Sequence, residues 1–211
     1  MRYSPEHKEA SRAAMLKAAL HIFREKGISG AGVDTIANAA GLTSGSFYKH
    51  FSGKAEAVTE VVRISLERAV RRVKMLQQSR KANPSQWLND FATTYMSREH
   101  LAQTALGCSL AAMTAEVARE GEAVKEVFAG GLDEMISAMV EEEPLEGQSD
   151  AERKAAAIVA LLSGGAALAR ASSDERQARF IADAVRRAVL LVASEPLPST
   201  PPSKLRWAPT E

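Results

Sequence analysis

Val33 to Phe51 reads VDTIANAAGLTSGSFYKHF, and the reading of this stretch decides the rest. Val33, Ile36, Ala37 and Ala40 fall at i, i+3, i+4 and i+7, one face of a helix. Gly41 is placed to end that helix in left-handed geometry. Thr43 and Ser44 supply hydroxyls where an N-cap is needed, and a second helix is expected to run to about His50. Two short helices joined by such a turn form a helix-turn-helix, whose second helix can enter a DNA major groove.

Outward from that unit the chain keeps helical period. His7 to Lys26 carries Met15, Ala19, Ile22 and Phe23 on one stripe and ends at Gly27, with Lys8, Arg12 and Lys17 towards solvent, in reach of phosphates. After Ser52-Gly53 a long helix is expected to about Arg80, buried through Val58, Val61, Val62, Leu66, Ala69, Val73 and Leu76. Asn83-Pro84 breaks it, and further helices follow at about 84–100, 108–119 and 122–142, the last with a weak or bent point at Gly130-Gly131. Pro144 to Ser149 reads as a linker before two final helices, Asp150 to Arg170 and Asp174 to Ser194. The expectation is an all-α chain of about nine helices with no strand pattern. It divides into a helix-turn-helix domain at 1–53, a helical domain at 54–194 and a Pro-rich tail at 195–211.

The 211 residues have a formal net charge of +1, which hides a polarity. Residues 1–81 hold 15 Lys/Arg against 7 Asp/Glu, and residues 82–211 hold 12 against 19. A basic end on an acidic remainder suits a protein that sets one end on a polyanion. Cys108 is the only cysteine, so no intrachain disulfide forms and a reducing compartment fits. The charged N-terminus is unlike a signal peptide. The longest uncharged run, Ala155 to Ala169, is shorter than the ~18–20 residues of a membrane span. A cytoplasmic protein without a membrane partner is expected.

Catalytic and cofactor motifs fail one by one. Gly30-Ala31-Gly32 follows no strand, and Thr35 stands at the third glycine position of a dinucleotide fingerprint. Gly53-Lys54 lacks the first glycine and the Ser/Thr of a phosphate loop. His7, His21, His50 and His100 are scattered, with no Glu-x-x-His or His-Glu-x-x-His pair. No enzyme, metal or cofactor is expected.

Phe23, Gly27, Val33, Ile36, Ala37, Ala40, Gly41, Leu42, Gly45, Phe47, Tyr48, His50, Phe51 and Lys54 stand in an order and spacing that resembles the DNA-binding domain of the TetR family of transcriptional regulators. The resemblance covers roughly fifty residues; the later helices resemble the family in architecture alone. It implies three N-terminal helices for DNA and a ligand-binding, dimerising C-terminal domain. Tyr48 and His50 match family positions that contact phosphates. On physical grounds Thr43, Ser44 and Ser46 offer hydroxyls to phosphate or base edges, Gly45 admits close backbone approach, Lys49 reaches a base edge or phosphate, and Lys54 holds the backbone as a charge. The second helix has no Arg, Asn or Gln, so base preference leans on Ser46, Lys49, apolar contacts and DNA shape. Relatives usually carry Ser or Thr before Val33; Gly30-Ala31-Gly32 removes that capping hydroxyl.

The resemblance also implies an apolar effector pocket, for which Trp87, Phe91, Tyr95, Met113, Phe128, Leu132 and Met135 are the expected lining. Ile158, Leu161, Leu162, Gly165 and Leu168, with Ile181, Val185, Ala188, Leu191 and Val192, are the expected homodimer face. The partners expected are double-stranded operator DNA, a second copy of the chain and an unidentified small-molecule effector. A repressor released by a small, largely apolar ligand leads; an activator of the same fold, or a thiol sensor of electrophiles or oxidants acting through Cys108, is the alternative.

Overall fold

The structure, a computed structural model, describes residues 5–79, 84–103, 108–140 and 150–197. Ten helices lie within these residues, and no strand: α1 (Pro5–Lys26), α2 (Val33–Ala39), α3 (Ser44–Phe47), α4 (Lys54–Ser79), α5 (Pro84–Tyr95), α6 (Arg98–Ala102), α7 (Ser109–Val117), α8 (Glu122–Val140), α9 (Ala151–Ala171) and α10 (Glu175–Ser194). Asn83, Gly107, the expected linker Pro144–Ser149 and the tail from Pro198 onward lie outside the described residues.

The additional helix comes from a break inside the segment expected to be one helix at 84–100. Ser97 takes extended backbone geometry and its hydroxyl accepts from the His100 N–H at 3.2 Å, so α5 stops and α6 starts afresh. α3 is shorter than its pattern suggests. After Phe47 the N–H groups of Lys49 and His50 donate to the carbonyls three residues back, and the chain tightens into a turn.

The apolar positions read from period do form the core. Met15, Ile22 and Phe23 of α1 pack with Ile36, Phe47 and Phe51, and this cluster is continuous with the body through Val58, Val61 and Val62 of α4. α4 lies along α8. Gly130-Gly131 does not break α8, which runs unbroken. Gly131 instead marks where α4 crosses, since a Cβ there would stand 2.7 Å from Leu66 Cδ1. Likewise α9 meets α10 at Gly165, where a Cβ would stand 2.5 Å from Val185 Cγ2. Lys154, fully buried on α9, donates from Nζ to the Ala193 carbonyl at 3.3 Å near the end of α10. The helix α9 extends past the uncharged run and, at 21 residues, is long and apolar enough by length and composition to cross a membrane. Of its apolar window 44% is buried against the rest of the fold.

Candidate nucleic-acid interface

The turn between α2 and α3 is built from local bonds. Gly41 has φ +70°, its N–H donates to the Asn38 carbonyl, and the Leu42 N–H donates to the Ala37 carbonyl at 2.9 Å. This paired closure is the Schellman motif, and it needs a residue free of Cβ strain at Gly41. At the start of α3 the Thr43 hydroxyl accepts from the Ser46 N–H at 3.3 Å. The α2 start has no such bond: Gly32 is its N-cap and no side chain caps it, as the sequence implies. Ser44 is not a free donor, since its hydroxyl donates to the Asp34 carboxylate.

Phe47 anchors this unit. It is fully buried, with its ring 4.9 Å from Phe51 and 5.6 Å, edge-on, from Tyr48. Arg12 of α1 lies over the Phe51 ring at 5.1 Å and pairs with Glu60 of α4 at 3.3 Å, so one side chain ties α1 to α4 and to the turn after α3. Arg12 is thereby engaged within the chain, where sequence alone made it a phosphate donor. Ahead of α4 the Ser52 N–H donates to Glu56 at 2.6 Å, which fixes the entry of Lys54.

Around this anchor four of the eight expected contact residues, Thr43, Ser46, Lys49 and His50, come together. Tyr48 is 61% exposed, Gly45, Thr43 and Lys49 are exposed, and Ser44, Ser46, His50 and Lys54 are half-buried. Thr43, Ser46, Lys49 and His50 line one cleft with His7, Lys8 and Ser11 of α1. His7 and Ser11 were missed in the sequence because nothing local links α1 to the turn. Burial, and then the cations Lys8, Arg12 and Lys49, hold the His50 imidazole below its usual pKa. Its Nδ1 is buried with no partner.

In the body, Val62, Ser65, Leu66 and Ala69 of α4 enclose a small apolar cavity with Cys108, Leu110, Met113 and Val117 on the α7 side and Phe128 of α8. Of the seven expected lining residues, Met113 and Phe128 are there. Trp87, Phe91 and Tyr95 form an aromatic ladder along α5, at 6.2 and 5.7 Å between neighbours, and belong to the core. Met135 is buried and Leu132 half-buried on α8 away from the cavity wall. The α4 wall was overlooked because its residues read only as core.

Cys108 is half-buried at the N-cap of α7, and no side-chain bond caps the helix there. No cation neighbours it in sequence, but the fold brings Arg24 within electrostatic range. Tyr95 is hydrogen-bonded with it; burial first, then the cysteine, pushes the phenol well above its usual pKa. The Tyr95 ring stacks on His100 at 4.8 Å. Arg170 donates to the carbonyls of His100 and Leu101, each at 3.3 Å. Burial, and then Arg170, Arg72 and Arg24, lower the His100 pKa to about 4, so this imidazole is neutral at neutral pH.

On α9 and α10 the expected dimer residues divide. Ile158, Leu162 and Gly165 are buried inside the protomer and are unable to face a second copy; this corrects their assignment. They lie on the face of α9 opposite the outward stripe of Ala156, Ala160, Gly164, Ala167 and Leu168. Leu161, Ile181, Val185, Ala188 and Val192 are half-buried, and Leu191 is exposed. Phe180, 74% exposed, was not read from the sequence as a surface residue.

Residues 15–61 match the family described as bacterial regulatory proteins, tetR family. The chain is 43% identical over 54 residues to the HTH-type transcriptional regulator SrpR of Pseudomonas putida, a match covering 26% of this chain and 25% of that protein. It is 36% identical over 90 residues to the HTH-type transcriptional repressor KstR2 of Mycobacterium tuberculosis, covering 42% and 44%. The chain thus spans under half the length of these curated relatives. The crystal structure of the reduced form of E. coli NemR shares the fold, with a TM-score of 0.71 at 19% identity over 84% of this chain and 95% of that one. With a helix-turn-helix of this geometry, residues 15–61 belong to the tetR family of bacterial regulatory proteins, and the helical body behind them shares its fold with solved structures of that architecture.

Proposed function

We propose that this protein is a DNA-binding transcriptional regulator that acts as a homodimeric repressor and leaves its operator when a small, largely apolar effector enters the body. The observation that carries the reading is the cleft at the head. Hydroxyls of Thr43 and Ser46, the cations Lys8 and Lys49, and His50 line one surface beside exposed Tyr48. Donors and positive charge on one face suit a phosphate backbone. Residues 1–53 form the DNA-binding domain in this reading, and 54–194 the effector and dimer domain. Thr43, Gly45, Ser46, Tyr48, Lys49, His50 and Lys54 contact DNA; Ser44 does so once its bond to Asp34 opens. The outward stripe of α9 with Leu168, and Phe180 and Leu191 of α10, meets its two-fold mate, which places two heads on successive major grooves.

The test is selection of genomic fragments by the purified protein, followed by fluorescence anisotropy at several salt concentrations. Specific fragments should be recovered, with affinity falling steeply with salt. Tyr48→Ala and Lys54→Ala should each weaken binding about 10-fold while leaving the fold intact. Unchanged affinity in both would remove the docking assignment, and a fall in promoter output on gene deletion would favour an activator.

A second reading, sensing of electrophiles or oxidants by Cys108, is supported by the placement of this thiol between the cavity wall, the Tyr95 hydroxyl and the Arg24 charge. A Cys108→Ser protein that still releases DNA on treatment with N-ethylmaleimide would exclude it.

A further inference from the structure

Besides the continuous chain from Phe51 into α4 and the packing of α1 on α4 with its Arg12–Glu60 pair, the head and the body meet at a junction on α7. Glu116 projects from α7 to the turn that follows α1, 87 residues away in sequence. Its Oε2 accepts from the Ser29 N–H at 2.8 Å and from the Ser29 hydroxyl at 2.6 Å. The Ile28 N–H also donates to this carboxylate. Gly27 has φ +77°, and a Cβ there would stand 2.4 Å from Glu116 Oε1, so the turn leaves room for the carboxylate. Burial raises the Glu116 pKa, but the Ser29 hydroxyl, the two backbone N–H groups and Arg119 outweigh it and hold the group below its usual value. The carboxylate closes a three-donor nest, and that nest belongs to the head.

The neighbouring face of α7 borders the cavity. Leu110, Met113 and Val117 line it, and Val117 is the next residue after Glu116. The cavity holds about 20 Å³. A benzene-sized guest needs on the order of 150 Å³, so no effector enters without moving a wall. α4 is clamped along α8, whereas α7 is nine residues long. α7 is therefore the wall with least to hold it, and its displacement is felt at the α1–α2 turn through Glu116.

We propose that Glu116 is the positioning residue that transmits cavity occupation to the DNA-reading head by holding the Gly27–Ser29 turn. The proposal rests on the ligand-responsive reading above. When α7 moves outward, the carboxylate drags or releases the turn, and α2 and α3 follow, since α2 starts at Val33, four residues beyond Ser29.

Side-chain wedges replace the unidentified effector in the test. Ala69→Phe puts a ring into the cavity from α4, and Cys108→Phe puts one in from the start of α7. Each is made in the full-length chain with and without Glu116→Ala, and affinity is read by anisotropy on a selected genomic fragment, with melting temperature and circular dichroism as the check on folding. Each wedge should weaken DNA binding by about 10-fold with Glu116 present, within the usual range for coupled sites. In the Glu116→Ala background the loss should shrink to about 2-fold or less, and Glu116→Gln, which keeps one acceptor, should fall between. Equal fold-losses in both backgrounds are what a merely structural Glu116 predicts; they would overturn the proposal and leave the ligand-responsive reading standing. Folded wedge proteins with unchanged affinity in both backgrounds would overturn that reading and the proposal with it. If one wedge fails to fold, the other decides.

Discussion

Two turns of the head use a left-handed glycine, and they are closed in opposite ways. The α2–α3 turn at Gly41 is sealed by its own backbone, with donors and acceptors no more than five residues apart. A Cβ at Gly41 would meet nothing within 4 Å. The α1–α2 turn at Gly27 keeps two local backbone bonds, Gly27 N–H to the Phe23 carbonyl at 3.1 Å and Ala31 N–H to the Ile28 carbonyl at 3.3 Å, and takes further bonds at Ile28 and Ser29 from Glu116 of the body. A turn closed locally stays the same whatever the body does. A turn closed from a distance reports on the distance. On the proposal above, the locally closed turn sets the geometry of the helix-turn-helix, and the one held from the body sets where that unit sits.

The comparison is sharpest in glycine substitutions. Gly27→Ala should destabilise by about 2–4 kcal/mol, the sum of left-handed strain and a displaced, hydrogen-bonded carboxylate. Gly41→Ala should cost only the strain, about 1–2 kcal/mol. Urea unfolding reads both, and a larger loss at Gly41 would invert the argument. Ser29→Ala removes one hydroxyl donor and leaves the backbone N–H, so about 0.5–1.5 kcal/mol is expected.

Acid should separate the turns as well. The Glu116 pKa is lowered in the folded chain, so its stabilisation is complete above the unfolded value near ~4.5 and is lost as pH falls through the lowered folded value. The stability gap between wild type and Glu116→Gln should therefore be constant near neutrality and close in that acid window. A gap that widens on acidification would break the assignment. The smallest effect concerns the outer face. Burial and then neighbouring cations hold the His50 pKa below its usual value, and a docked phosphate opposes that shift. DNA affinity should rise modestly, about 2- to 3-fold from pH 7.5 to 6, and the rise should vanish in His50→Gln.

What the sequence shows follows the same division. Gly41, Thr43 and the Val33–Ala40 face declare the α2–turn–α3 unit because every bond that closes it is local. The core stripe of α1 and the long α4 were legible by period for the same reason. Ser97 held an N-cap signal that went unread inside a longer apolar pattern. The cavity wall on α4, the inward turn of Ile158 and Leu162, and the bond from Glu116 to Ser29 depend on which helix lies beside which, and periodicity does not carry that. An aromatic series such as Trp87, Phe91 and Tyr95 has one spacing whether it fills a core or lines a pocket; here it fills the core.

The brevity of α3 has a consequence for how such a protein diversifies. Of Ser44 to Phe47, Phe47 alone is buried, and Tyr48 and Lys49 beyond it are exposed. Substitutions at Ser46 or Lys49 touch no core packing, and surface changes of that kind usually stay within about 0.5 kcal/mol. In the proposed docking, operator preference and fold stability are thus carried by different residues of one short segment. A duplicated gene can acquire a new binding site by changes at two or three outward positions, without passing through an unfolded ancestor.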